Sequence, residues 1–287
     1  MKRILITGKN SYVGNSFEEW INKSSEDYIV DKISLRDDSW KEKSFKAYDT
    51  ILHTVGIAHV NAKQEMENDY YKINRDLAIE TAQKAKDEGV GHFVFLSSVI
   101  VYGDSSPSWS SKIIDENTVP TPANFYGESK LQAEQGLRNL EDEDFRVSIV
   151  RPPMVYGRNS KGNYPKLSKL AKLTPVFPDV ENRRSVIFID NLSEFLRLLI
   201  SFKDRGTFHP QNGCSISTSD LVKTIAQAHG KKVVLSKSLG RILKLFERKS
   251  SYVTKVFGNM EYASSISEHK HPYQTVSFHR SIFLTET

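Results

Sequence analysis

The chain has 287 residues, 38% of them hydrophobic and 26% charged, with a formal net charge of +5. That length buries a substantial core and fits one large α/β domain or a domain with an added lobe, while no apolar run is long enough to cross a bilayer. A single cysteine, Cys214, excludes an internal disulfide and a thiolate metal cluster, so no metal is expected, and the opening run ILIT (4–7) is too short for a secretory signal, which predicts a cytoplasmic protein.

In chain order, ILIT leads through TGKNSYVG (7–14) into a helical pattern with Val13, Phe17, Trp20 and Ile21 on one face. A strand-to-helix turn offers free backbone N–H groups and the positive end of a helix dipole, a place for a pyrophosphate. Gly8 makes the tight turn and Gly14 lets helix and strand approach. Ser11 stands where a middle glycine often permits close approach, and its hydroxyl is a candidate donor to a phosphate oxygen. The second run, YIVDKISL (28–35), is followed by Arg36, and an arginine there accepts the 2′-phosphate of NADP(H), with Lys9 as a second cation. Asp37 competes for the same space, so NADP(H) is favoured and NAD(H) stays open.

TILHTVG (50–56) and HFVFLSS (92–98) are the next strands, separated by a long helical stretch near 65–88 that stops at Gly89. The runs RVSIVR (146–151) and SVIFID (185–190) follow, and several runs are apolar throughout, as in strands covered on both faces. Such alternation predicts an α/β fold, a Rossmann-like doubly wound parallel sheet with a smaller C-terminal substrate-binding lobe. The expected division is a dinucleotide-binding domain over 1–157, to which 185–204 returns, and a lobe formed by 158–184 and 205–287. The basic stretch KKVVLSKSLGRILKLFERKSS (231–251) reads either as a helix lying on a membrane surface or as one packed on its own lobe with its lysines in water, and the second is preferred. No basic region is interleaved with aromatics as in a nucleic-acid reader.

The chemistry concentrates in FLSSVIVYG (95–103) and TPANFYGESK (121–130). Tyr126 and Lys130 are four apart on a predicted helix and share a face. Tyr28 and Lys32 have the same spacing, but in a strand that puts them about 13 Å apart. Hydride transfer at a carbinol carbon needs a proton donor or acceptor for its oxygen, and an ammonium beside a phenol is expected to lower its pKa. Ser98, at a strand end, is either a hydrogen-bond donor to the substrate oxygen or a helix cap.

Taken in order, TGKNSYVG, ILHTVG, SSVIVYG, YGESK and RPPMVYG span nearly the whole chain and resemble the extended short-chain dehydrogenase/reductases that act on nucleotide sugars. The resemblance implies Tyr126 as proton donor or acceptor, Lys130 also holding the nicotinamide ribose, and Ser98 completing a triad. It implies cofactor contacts from Gly8, Lys9, Ser11, Tyr12, Val13, Gly14, Arg36, His53, Val55, Gly56, Lys130 and Pro153, with Val55 replacing the usual alanine. A UDP-sugar would meet Ser98, Val99 and Tyr126 at the sugar, Arg184 and Asn163 near the diphosphate, and Val176 and Phe177 beside the uracil. Arg183 is an alternative to Arg184, and a surface arginine and a core phenylalanine are the plain alternatives at 184 and 177.

Val99 and Ile100 stand where dehydrating relatives carry Asp-Glu, and 3,5-epimerising relatives carry a cysteine at the position of Val99; neither side chain exchanges a proton. What remains is hydride chemistry at C4. C4 epimerases of the family often have an asparagine where Met154 follows Arg151, and RPPMVYG, KGNYPKL and TPVFP resemble a capsule and surface-polysaccharide branch. The leading expectation is therefore NADPH-dependent reduction of a UDP-4-keto-6-deoxy-N-acetylhexosamine. A UDP-sugar 4-epimerase and a non-catalytic dinucleotide sensor are the alternatives, and a homodimer is expected by analogy.

Overall fold

Strand β1 (Lys2–Thr7) buries Ile4, Leu5 and Ile6 completely, which places it inside a sheet covered on both faces. The computed structural model describes residues 1–24, 27–58, 64–247 and 250–287. β1 pairs with β2 (Tyr28–Ile33) on one side and β3 (Thr50–His53) on the other. The sheet continues through β4 (His92–Leu96), the strand Arg146–Val150 and the strand Gly206–Phe208, giving six parallel strands. This is the doubly wound, Rossmann-like α/β sheet. Its winding reverses between β1 and β3, and ligands of such sheets bind at that point, outside the carboxyl ends of the strands.

The chain forms two compact units. The first, residues 1–103, 119–152 and 193–209, carries the sheet. Helix α1 (Tyr12–Ser24) buries Phe17 and Ile21, two of the four residues on its anticipated face. The second, residues 104–118, 153–192 and 210–287, contains three small parallel pairs: Met154–Tyr156 with Val186–Phe188, Val176–Pro178 with Val234–Ser236, and Ile113–Ile114 with Glu261–Tyr262.

Three expectations change. The run SVIFID is buried from Ser185 to Ile189 like a central strand, yet Val186–Phe188 pairs with Met154–Tyr156 outside the large sheet. The sixth place belongs to Gly206–Phe208, a short edge strand with no apolar run to announce it. The long helix near 65–88 is interrupted: α2 (Glu67–Tyr70) and α3 (Leu77–Asp87) flank a π-helical turn over Tyr71–Asp76. The extra residue in that turn carries the fully buried Asn74, whose amide binds Ile57 N–H at 2.8 Å and Ile57 C=O at 3.2 Å. Gly89 ends α3 in the left-handed conformation, φ 82°, as expected.

The basic stretch follows its preferred reading in part. Its helix, Lys237–Glu247, rests on the lobe through the buried Gly240 and Glu247 and the half-buried Leu243, with its lysines exposed, but Leu239, Ile242, Leu245 and Phe246 are 40%, 50%, 67% and 61% exposed. Residues 248–249 of the stretch lie outside the described residues. Among the described residues, no helix is long and apolar enough to cross a membrane.

Candidate active site

The turn between β1 and α1 is built for close approach. Gly8 has φ 98°, and a Cβ there would sit 2.9 Å from Thr54 Oγ1. A Cβ on Gly14 would sit 2.5 Å from Ser11 Oγ and 2.8 Å from the Ile6 side chain, so any larger residue would push α1 off the sheet. The Ser11 hydroxyl is engaged with Thr54. Thr54 gives its one hydroxyl proton to Thr7 C=O at 2.6 Å, so in the 2.6 Å contact between Ser11 and Thr54 the serine is the donor. Ser11 Oγ also accepts the Gly14 N–H at 3.0 Å. The serine thus fastens the turn and caps the helix, and the glycines and the start of α1 at Tyr12 and Val13 are where a phosphate would find free N–H groups. The turn fits a dinucleotide.

At the end of β2, Asp37 is turned toward Ser39, accepting its backbone N–H at 3.1 Å and its hydroxyl, and these bonds hold its carboxyl below its usual pKa. Arg36 is exposed and has no carboxylate partner among the described residues, and Lys9 is exposed in the glycine turn. His53 is placed differently from the expectation. Its ring is fully buried between Phe93 and Phe95, at 5.6 and 5.9 Å, with Nδ1 3.0 Å from Thr7 Oγ1. Burial pushes it down to about 3, so it is a neutral core group, and only its backbone is offered at the strand end. Val55 packs on the core beside it, and Gly56 follows at the surface.

Helix α4 (Phe125–Arg138) presents the reactive pair, capped by Asn124, whose side chain accepts the Gly127 N–H at 3.0 Å. Gly127 must be small because a Cβ would meet Ile100 C=O at 2.8 Å. That approach sets Tyr126 against the loop after β4, where Ser98 faces the phenol closely enough to favour its ionised form. Ser98 also caps the short helical turn Val99–Tyr102, accepting from Ile100 N–H at 3.3 Å, which is the capping role anticipated for it. One turn further, Lys130 donates to Leu96 C=O at 2.8 Å and lies 4.6 Å from the Phe95 ring centre. A Cβ on Gly56 would come within 3.1 Å of its Nζ and 2.9 Å of Asn74 Oδ1, so the ammonium reaches the switch point. Asn74 also donates to Ser129 Oγ at 3.1 Å, tying this loop to α4. Nothing but an asparagine inside an apolar helical pattern could have flagged it.

One electrostatic expectation is overturned. The phenol of Tyr126 is pushed up to about 12, mainly by burial, with the Ser98 bond acting against the rise and Tyr70 adding to it. Lys130 does not acidify it, because its ammonium is turned to Leu96 and burial pushes that group itself down to about 8. This has a measurable consequence. An unfolded lysine keeps its proton to about 10.5, the buried one only to about 8, so between these values the unfolded state binds more protons and folding stability rises with pH. Lys130→Met should lack that rise, of the order of 3 kcal/mol across the window. Urea midpoints of the two proteins that run parallel from about pH 8 to 10.5 would refute the burial argument.

In the second unit, a cavity of about 410 Å³ is lined by residues including Asn163, Lys166, Arg184, Lys255 and Phe257. Arg184 is held by paired backbone bonds with Ile216 at 3.0 and 2.9 Å, and its guanidinium donates to Gly258 C=O at 3.0 Å. Desolvation pushes it down to about 10, and no carboxylate pairs with it among the described residues. Arg183, the alternative, is already neutralised by Glu261 at 2.9 Å. Phe177 is 3% exposed and packs 5.7 Å from Phe257, so it backs the cavity wall while Phe257 forms it. Val176 is exposed on its strand outside that lining, whereas Met154 lies within it. Pro153 immediately precedes Met154 and is buried.

Comparison with known proteins agrees with this geometry. The NAD dependent epimerase/dehydratase family matches residues 4–210. A UDP-glucose 4-epimerase of Vibrio cholerae is 29% identical over 252 residues, 79% of this chain and 76% of that protein. An N-acetyl-alpha-D-glucosaminyl-diphospho-ditrans,octacis-undecaprenol 4-epimerase of Escherichia coli O157:H7 is 28% identical over 172 residues, 57% of this chain and 50% of that one. Among solved structures, a Bacillus cereus UDP-glucuronic acid 4-epimerase in complex with NAD has TM-score 0.75 at 16% identity, covering 99% of this chain and 97% of that one. A Bacillus anthracis dTDP-4-dehydrorhamnose reductase in complex with NADP has TM-score 0.69 at 23% identity, covering 82% and 84%. The match across most of the chain, on a Rossmann-like sheet with a glycine cradle at its switch point, makes this protein a member of the NAD dependent epimerase/dehydratase family.

Proposed function

We propose that this chain performs hydride chemistry at C4 of a UDP-linked hexose, as a 4-epimerase. The observation that carries the reading is Ser98 facing Tyr126 with Lys130 one turn along α4, beside Val99 and Ile100, which offer no acid for dehydration. The similarity to the Vibrio cholerae 4-epimerase supports this reading over most of the chain and outweighs Met154, where an asparagine was the epimerase signal. The dinucleotide, held by the turn at Gly8 to Gly14 and by Lys130, supplies a hydride acceptor and donor when bound. Tyr126 holds and moves the proton at the sugar O4, and Ser98 orients that oxygen.

The UDP moiety is assigned to the cavity of the second unit. Arg184 is a desolvated cation with no counter-charge among the described residues, and a diphosphate supplies one. Arg184→Ala should raise KM for the nucleotide sugar about 30-fold, corresponding to about 2 kcal/mol, with kcat little changed. Steady-state kinetics check this, and an unchanged KM would remove Arg184 from the diphosphate site.

Two observations favour a second reading, NADPH-dependent reduction of a UDP-4-keto-6-deoxy-N-acetylhexosamine. Arg36 is free to meet a 2′-phosphate, and a phenol held near 12 is a proton donor at neutral pH, as reduction requires. The decisive experiment runs both reactions. Interconversion of UDP-GlcNAc and UDP-GalNAc, or of UDP-Glc and UDP-Gal, without added cofactor supports the epimerase. NADPH consumption with the 4-keto sugar, and no interconversion, establishes the reductase. Neither activity, with dinucleotide still bound, leaves the sensor.

A further inference from the structure

The helix Lys237–Glu247 is anchored by its narrowest edge. Gly240 lies so close to Asp179 that a Cβ would fall 2.1 Å from the carbonyl oxygen, and the Glu247 carboxylate accepts from Ser108 N–H at 2.8 Å and its hydroxyl at 2.6 Å. At about 100° per residue these two positions share one side. Leu239, Ile242, Leu245 and Phe246 fall on an arc turned away from it, between 40% and 67% exposed. Backbone approach, a carboxylate and the half-buried Leu243 hold the helix, and these four side chains are left turned outward. Residues 231–246 contain five basic side chains, Lys231, Lys232, Lys237, Arg241 and Lys244, and no acidic one.

We propose that this face docks on an anionic lipid bilayer. A helix of 11 residues cannot span the hydrocarbon core, but it can lie in the interface with its leucines, isoleucine and phenylalanine among the acyl chains and its lysines and arginine at the headgroups. The charge distinguishes this occupant from a second copy of the chain. A two-fold contact would set the same cations against one another, whereas an anionic surface neutralises them.

The full chain is mixed with sedimentable vesicles of phosphatidylcholine alone and of phosphatidylcholine with phosphatidylglycerol. Binding to the anionic vesicles only, and its loss at about 0.5 M salt, is expected. The double variant Leu245→Ser, Phe246→Ser should weaken vesicle binding about 100-fold, and Lys237→Gln with Arg241→Gln and Lys244→Gln by a similar factor. All five positions are exposed, so circular dichroism should be unchanged. The proposal falls if wild type stays in the supernatant, binds neutral vesicles equally well, or binds no better than the variants. A concentration-dependent dimer in ultracentrifugation that Phe246→Ser abolishes, without lipid binding, would assign the face to a second copy instead. Capture by an acidic protein in place of lipid would likewise overturn it.

Discussion

Tyr126→Phe is expected to lower kcat by about 10²- to 10⁴-fold while dinucleotide affinity stays within about twofold. The substitution removes one oxygen and keeps the ring, whose edge contact with Tyr70 at 5.7 Å and place in the first turn of α4 do not depend on the hydroxyl. What disappears is the group that gives or takes the proton at O4 and the partner of Ser98. Turnover by either C4 reaction, paired with cofactor titration by tryptophan fluorescence, separates chemistry from binding. Full activity in the variant would mean that another group handles the proton, and the assignment of this site would fail. The companion change Ser98→Ala should cost less, since it removes an orienting hydroxyl and leaves the phenol, though the turn Val99–Tyr102 then loses its cap.

The parts of this fold that were legible in the sequence are those in which one physical signal dominates. β1, β3, β4 and Arg146–Val150 are short apolar runs followed by helical patterns, and nothing but a covered parallel sheet accommodates that repetition. Gly8 and Gly14 were legible because backbone approach tolerates no Cβ there. Val186–Phe188 misled because burial on all sides looks alike in a central strand and in a small buried pair; the partner, Met154–Tyr156, is a tertiary fact. Gly206–Phe208 was silent for the converse reason, being an edge strand with one exposed and two half-buried residues. Pairwise electrostatics were the least legible. The spacing of Tyr126 and Lys130 fixed a shared helix face, but not which way the ammonium turns, and that direction decides whether the phenol is acidified. Asn74 and the partnership of Ser11 with Thr54 depend on a π turn and a loop contact that no periodicity encodes.

Arg151→Met should destabilise the protein by about 3–5 kcal/mol, the largest stability effect expected from a single substitution near the site. Glu134 is completely buried on α4, one turn beyond Lys130, and its carboxylate is held by Arg151 at 2.9 and 2.5 Å and by Ser97 Oγ at 2.5 Å. Arg151 in turn donates to Tyr102 at 2.6 Å, and Tyr102 contacts His209 Nε2 at 2.8 Å. Removing the guanidinium leaves the buried carboxylate with only Ser97 and the longer 3.4 Å contact of the exposed Arg138, which costs far more than losing an exposed pair. Urea unfolding followed by circular dichroism at neutral pH checks the figure, and a loss below about 1 kcal/mol would show that Arg138 or water takes over Glu134 and overturn the argument. The double variant Glu134→Leu, Arg151→Met tests the same idea from the other side. With both charges gone the burial cost vanishes, so most of the stability should return, short of what the Ser97 and Tyr102 hydroxyls lose with their partners. Because Ser97 precedes Ser98 and Glu134 shares a helix face with Lys130, the restored protein should still turn over more slowly than wild type: the buried pair, dispensable for folding once replaced as a unit, is what holds the serine and the lysine in register.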